Sequence, residues 1–311
     1  MLRHCLISDT RTEGVYVIAS NDVLLEKNIF RRNNIQEITG YYPSAVKIFN
    51  QSHRVTCRDN LVIDNPHSNG IWYDVGEVDG VFVDNWVQGC IDGCFFEISK
   101  GFTVTGNVFV DCDKGMRILN SCNAHAYHNT FVNTVASFER TERSAVGDHF
   151  GWHPTTGPDV DQREGHIFVN NLLLADASFA KPLLRVEQTK VLCGRLTRPA
   201  ASLIAGNVFV RSPAAIASTL IVWGPTAGPD CIAELKTPAE LTALNPAFPA
   251  PGIFLRRELG SVVRNPALER FDLLDTFAAD ASVPAAPAAI LALLAWKPGT
   301  PAVAGAYQSA H

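Results

Sequence analysis

No apolar run in this chain approaches the roughly 20 residues that a membrane-spanning helix needs, so a helical span is excluded. Basic residues are not in excess: 26 Lys and Arg stand against 31 Asp and Glu, a formal charge of −5. Nucleic acid, which calls for a basic face, is excluded as a partner on that ground. Cysteine is scarce, eight in 311 residues, and none follows the C-x-x-C spacing of common metal frameworks. No cofactor is expected. The start, MLRHCLISDTRTEG, lacks the apolar stretch of a signal peptide. Either the protein stays in the cytoplasm, or the chain begins inside a longer one. With 47% hydrophobic and 18% charged residues, the composition suits a globular body with a sizeable core.

Asn60, Asn85, Asn107 and Asn129 each open the same short phrase, NLV, NWV, NVF and NTF, at gaps of 25, 22 and 22 residues. Such a period, with one polar residue held in place beside aliphatic and aromatic ones, marks a stack of β-coils. The phrase extends to Asn28, Asn171 and Asn207 at gaps of 32, 42 and 36, which imply insertions. A repeated Asn at a bend is expected because it tolerates the left-handed conformation and bonds to its stacked neighbour. Cys90 and Cys112 occupy equivalent positions in adjacent coils, either as stacked apolar thiols or as a disulfide.

Alternation in the strands around Val15, Val46, Ile71, Cys94 and Met116 points Val46, Ile48, Ile71, Tyr73, Cys94, Phe96, Met116 and Ile118 inward. Two outward columns remain. One holds Tyr16, Lys47, Trp72, Phe95 and Arg117, and Glu139 is expected to continue it; the other holds Ile18, Phe49, Asp74, Glu97 and Leu119. Asp74 and Glu97 lie 23 residues apart, one coil, so their Cβ atoms should sit about one strand spacing from each other. Stacked carboxylates between apolar neighbours repel, which forces two pKa values apart. Trp72 and Phe95 are expected to form an aromatic step on which a sugar ring lies, bracketed by Lys47 and Arg117.

Residues 1–230 read as the coil stack, with inserted loops at 33–45 and 145–163. The first loop carries Tyr41 and Tyr42; the second carries His149, Trp152, His153, Asp159 and Asp161, and both are candidate cleft walls. His125 and His128 read as turn residues beside Asn129. Residues 231–311 read as a capping tail, with a short helix starting at Thr237-Pro238 and a Pro/Ala-rich stretch from Val283 to Val303. No cap precedes the first coil, so a partner chain is a candidate cover for that end and oligomerisation is an open expectation.

At Gly70-Ile71-Trp72-Tyr73-Asp74 and Asp92-Gly93-Cys94-Phe95-Phe96-Glu97-Ile98 the chain resembles the right-handed parallel β-helix carbohydrate-active enzymes of the pectate-lyase-like superfamily, and within it the β-helical β-xylosidases of glycoside hydrolase family 120. The resemblance rests on Trp72, Asp74, Phe95, Glu97 and Gly101 and covers the region from Gly70 to Asn107. It implies an all-β, right-handed parallel β-helix, with Asp74 as nucleophile and Glu97 as acid/base of a retaining glycosidase. Lys100 stands where that family has a substrate-contacting His, and the inserted β-sandwich of those enzymes has no room here. Two other readings compete. In a polysaccharide lyase, Asp74 and Glu97 would hold Ca²⁺ while Lys47 or Arg117 abstracts a proton beside a uronate carboxylate. In a non-catalytic module, the Trp72 face would bind sugar without turnover.

Overall fold

The computed structural model describes residues 1–40, 43–144, 157–216, 218–297, 299 and 302–307. Each coil contributes one strand to each of three sheets, and the strands stack in chain order as parallel ladders. The first sheet runs from Leu2–Arg3 to Ala201–Ala205, the second from Leu6–Ser8 to Gly252–Arg256. The third runs from Val15–Ile18 to Ile221–Trp223 and closes on an antiparallel strand, Ala233–Leu235. The chain is an all-β parallel β-helix solenoid. Its interior is filled from all three sides: Val46, Ile71, Cys94 and Met116 face inward from the third sheet, Phe30, Val62, Val87, Phe109 and Phe131 from the second, and Leu25, Phe82, Val104, Ala126 and Phe168 from the first.

The repeated asparagines form one unbroken ladder from Asn28 to Asn207. In each of them up to Asn171, backbone N–H and side-chain Nδ2 both donate to Oδ1 of the next Asn, at 2.9–3.1 Å. These groups are buried, where an unpaired N–H costs about 1–3 kcal/mol. The left-handed residue at this bend is the one before the ladder Asn: Lys27, Asp59, Asp84, Gly106, His128, Asn170 and Gly206 all have positive φ. The asparagine is thus selected for its amide, not for backbone freedom. A second ladder of identical spacing crosses the bend after the third sheet. There Ser20, Ser52, Glu77 and Ser99 each donate a backbone N–H to the side chain of the next member, ending on Ser121.

The helix expected at Thr237 is Pro238–Leu244, and Thr237 Oγ1 accepts the Glu240 N–H as its cap. Leu241, Phe248, Trp223 and Leu235 join the main core and close its C-terminal end. The remaining tail covers flanks. Val262, Phe271, Phe277 and Val303 pack on the outer face of the second sheet, while Ala286, Ile290 and Leu294 pack against Val83, Tyr127 and Val169 of the first. His128, a turn residue with φ 50, fastens this strap: Nδ1 meets Val303 O at 3.1 Å and Nε2 meets Asn170 Nδ2 at 3.0 Å. His125 instead lies within the strand Cys122–Tyr127.

Cys90 and Cys112 are buried free thiols, and each donates to a backbone carbonyl, Cys90 Sγ to Gln88 O and Cys112 Sγ to Val110 O. The disulfide lies elsewhere. Cys193 and Cys231, 38 residues apart, join the turn at Lys190–Leu192 to that at Pro229–Cys231. Nothing in the repeat pattern marks this pair. Closing a loop of that length is worth about 4 kcal/mol in the chain-entropy picture, and such bonds persist in oxidising compartments.

Candidate active site

The in-out alternation of the third sheet delivers the two columns in register. Trp72 pairs with Phe95 and Asp74 with Glu97, flanked by Lys47 with Phe49 on one side and Arg117 with Leu119 on the other. Glu139 falls opposite Leu119 and so continues the acidic column; Ser137 takes the place opposite Arg117. The expected assignment fails because the offset between these rungs shrinks from 22 residues at Val110–Val132 to 21 at Lys114–Val135 and, where the ladder slips, to 20 at Met116–Ala136. Trp72, Phe95, Glu97, Leu119, Asp92 and Arg117 floor a cleft of about 530 Å³. Its walls include Glu37, Ile38, Thr39, Gly40 and Pro43 of the first insertion, and Asn120, Thr141 and Arg143.

The aromatic step does not offer the flat face expected of it. Trp72 and Phe95 stack on one another, 4.9 Å between centroids and 17° between planes. Lys47 Nζ lies 3.7 Å from the Trp72 ring centroid, and the Arg117 guanidinium 4.9 Å from that of Phe95. Both faces of the aromatic pair are therefore occupied by cations along the solenoid axis, and the residues are 3% and 4% exposed. In-register parallel stacking is the cause, since it turns ring faces toward the neighbouring rungs and edges outward. The Trp72 Nε1 donor is buried without an acceptor.

Each carboxyl has a basic partner. Lys47 Nζ lies 3.1 Å from Asp74 Oδ2, and Arg143 Nη1 donates to Glu97 Oε1 at 2.8 Å. Arg117 donates to Asp92 Oδ2 at 3.0 Å and to Glu139 Oε2 at 3.1 Å, and Lys114 reaches Glu139 Oε1 at 2.6 Å. Burial first and the Asp74 charge second push Glu97 up to about 8, against the opposing charges of Arg143, Arg117 and Lys47. At Glu139 burial also acts upward, but Arg117 and Lys114 outweigh it and the group ends below its ordinary value. The donor set for a hard cation is not assembled here: two carboxyls already paired with bases fall short of six to eight oxygens. No cluster of three or more His, Cys, Asp or Glu suited to a metal occurs among the described residues.

Two features of this site escape column counting. Val75 and Ile98 follow the two acids directly, in the left-handed region at φ 52° and 48°. Ala19, Asn50 and Asn120 occupy the equivalent places on other rungs. A β-branched residue there is strained, by about 1–3 kcal/mol; burial of Val75 against Ile98 offsets part of this. The second feature is Glu77, a carboxyl in a ladder otherwise made of serine. It is fully buried, Oε1 accepts the Ser52 N–H at 3.1 Å, and Oε2 has no partner.

Burial first, with the Asp74 charge adding to it, raises Glu77 from 4.5 to about 9, while the Ser52 bond opposes. The folded chain then holds a proton that the unfolded chain releases above about pH 4.5, so stability falls as pH rises from there toward 9. Glu77→Gln exchanges no proton. The variant is expected to gain about 4 kcal/mol on the parent between pH 5 and pH 8, at about 1.4 kcal/mol per pH unit. Urea unfolding at the two pH values measures this, and equal losses in both proteins would show that Glu77 is ionised when folded.

Of the other residues singled out in the sequence, Lys100 stands apart. It opens the strand Lys100–Thr105 of the first sheet and lines a separate groove with Asp79, Asn123 and His125. Asp161 pairs with Arg195 at the surface, and Asp159 accepts Ser144 Oγ at 3.0 Å. His149, Trp152, His153, Tyr41 and Tyr42 lie outside the described residues. Arg143 has no counterpart at one-coil spacing, because it lies in the connection that leads from the strand Val135–Arg140 into the second insertion.

Residues 1–133 match a family model described as a right handed beta helix region. That span holds Lys47, Trp72, Asp74, Phe95, Glu97 and Arg117. A search of curated proteins and a search of solved structures each return no match. No described helix is long and apolar enough to cross a membrane.

Proposed function

We propose that this chain is a glycoside hydrolase that cleaves an oligo- or polysaccharide by a two-carboxylate, retaining mechanism. The observation that carries the reading is the register pairing of Asp74 with Glu97: Glu97 floors the cleft and holds its proton to about pH 8, and Asp74, 9% exposed, lies on the adjacent rung beside that lining. Adjacent strands lie about 4.8 Å apart, a spacing that suits the roughly 5–5.5 Å between carboxyls in retaining enzymes. Glu97 protonates the glycosidic oxygen as the bond to the anomeric carbon breaks. Asp74 attacks that carbon and forms a glycosyl ester, with Lys47 Nζ at 3.1 Å to balance its charge before attack. Glu97, now ionised, takes a proton from the water that hydrolyses the ester.

The resemblance to family 120 makes aryl β-xylosides the first substrates to try. A screen of aryl glycosides and of plant and algal polysaccharides, with and without chelator, tests the reading by scoring reducing ends and unsaturated products together. Reducing ends that are insensitive to chelator are expected. An unsaturated, ultraviolet-absorbing product lost on chelation would replace hydrolysis with lyase chemistry. Binding without any turnover would replace it with a carbohydrate-binding module.

A further inference from the structure

Arg163 is 1% exposed, yet no carboxylate forms an ion pair with it among the described residues. Its partners are three neutral acceptors. Nη1 donates to Asn120 Oδ1 at 2.8 Å and to Thr141 O at 2.6 Å, and Nη2 donates to Arg143 O. Asn120 and Thr141 are joined as well, by Asn120 Nδ2 to Thr141 Oγ1 and by Thr141 N–H to Asn120 Oδ1, both at 2.8 Å. A desolvated cation whose opposing charge, Asp159, acts only from beyond ion-pair distance is expensive, and an apolar side chain of similar volume would fold at lower cost. The position of its three acceptors explains why a guanidinium is there. They tie both ends of the second insertion to the rung that carries the wall of the cleft.

We propose that Arg163 is a positioning residue for the acid pair: it pins residues 141–144 to Asn120 and so holds the Arg143 guanidinium on Glu97. The contact it supports is the 2.8 Å bond from Arg143 Nη1 to Glu97 Oε1. Charged groups facing Glu97 are Asp74 and Lys47 from the preceding rungs, Arg117 from the next, and Arg143 from the insertion. Only Arg143 depends on a segment outside the stack, so only its contribution should respond to Arg163. The importance of this contact for turnover rests on the glycosidase reading, but the contact itself is testable without substrate.

The test is a carboxyl titration of the full chain labelled with ¹³C at glutamate, the Glu97 signal being the one lost in Glu97→Gln. Arg143→Met removes an opposing charge and is expected to raise the Glu97 midpoint by about one pH unit or more. Arg163→Met is expected to raise it in the same direction, and Arg143→Met/Arg163→Met to coincide with Arg143→Met alone. An unmoved midpoint in Arg163→Met overturns the proposal, and so does a further rise when Arg163→Met is added to Arg143→Met. Should Arg163→Met fail to fold, Arg163→Lys keeps the charge but gives up the fork. It too is expected to raise the midpoint, and an unchanged value overturns the proposal equally. Absence of hydrolysis by the parent chain would end the glycosidase reading and leave the titration result standing.

Discussion

Asp74→Asn is expected to lower hydrolysis by about 10⁴-fold or more on every substrate, because an amide cannot form the glycosyl ester. Glu97→Gln is expected to act differently. A protonated acid assists departure of the leaving group, so its loss costs about 10²–10⁴-fold on a natural glycoside and far less on an aryl glycoside that departs unaided. Glu97→Gln replaces a protonated acid by an isostere and should leave folding intact, whereas Asp74→Asn leaves Lys47 buried beside a neutral amide, so folding of that variant is checked by circular dichroism before rates are compared. Rates on an aryl glycoside and on an unactivated oligosaccharide, measured for parent and variants, separate the roles. Full activity in either variant removes the mechanism. Equal losses of Glu97→Gln on both leaving groups would remove the acid assignment while leaving the site.

The second large effect concerns the fold. Asn107→Ala is expected to cost about 3–5 kcal/mol, several times an ordinary hydrogen bond, because it leaves buried groups unpaired on two rungs at once. Asn107 Oδ1 accepts both the backbone N–H and the Nδ2 of Asn85, and its own amide donates to Phe82 O, Thr105 O and Asn129 Oδ1. Asn28→Ala provides the contrast. Asn28 Oδ1 receives the N–H of Cys5, which is only half-buried, so water replaces part of what is lost. Equilibrium unfolding of the two variants should give a markedly larger loss for Asn107. A loss at Asn107 no greater than at Asn28 would mean that the ladder is incidental to stability.

Most of the scaffold could be read without coordinates because a stack repeats its rules. The one-coil period placed the asparagines in a ladder and the outward columns in register from Tyr16 to Arg117 and from Ile18 to Leu119. The same gaps of 25 and 22 residues also run from Ser52 through Glu77 to Ser99, so Glu77 could have been found by extending the count to serine. Glu139 was misplaced for the converse reason, since counting fails where a ladder slips. The orientation of the aromatic pair was misjudged because a column states which residues adjoin, not which faces they turn to each other.

What the sequence determined alone is adjacency: identical coils can stack in only one register without exposing the apolar positions, so Asp74 must lie beside Glu97. Tertiary structure decided the chemistry of that adjacency. Arg143 reaches Glu97 across 46 residues from the aperiodic segment that enters the second insertion, and Arg163 braces it from the insertion's far end. Burial, which keeps Glu97 and Glu77 protonated, and the closing of the flanks by the tail likewise depend on contacts between distant segments. Proton affinity follows from the charges and solvent around a group, and those are set by segments that share no period with it.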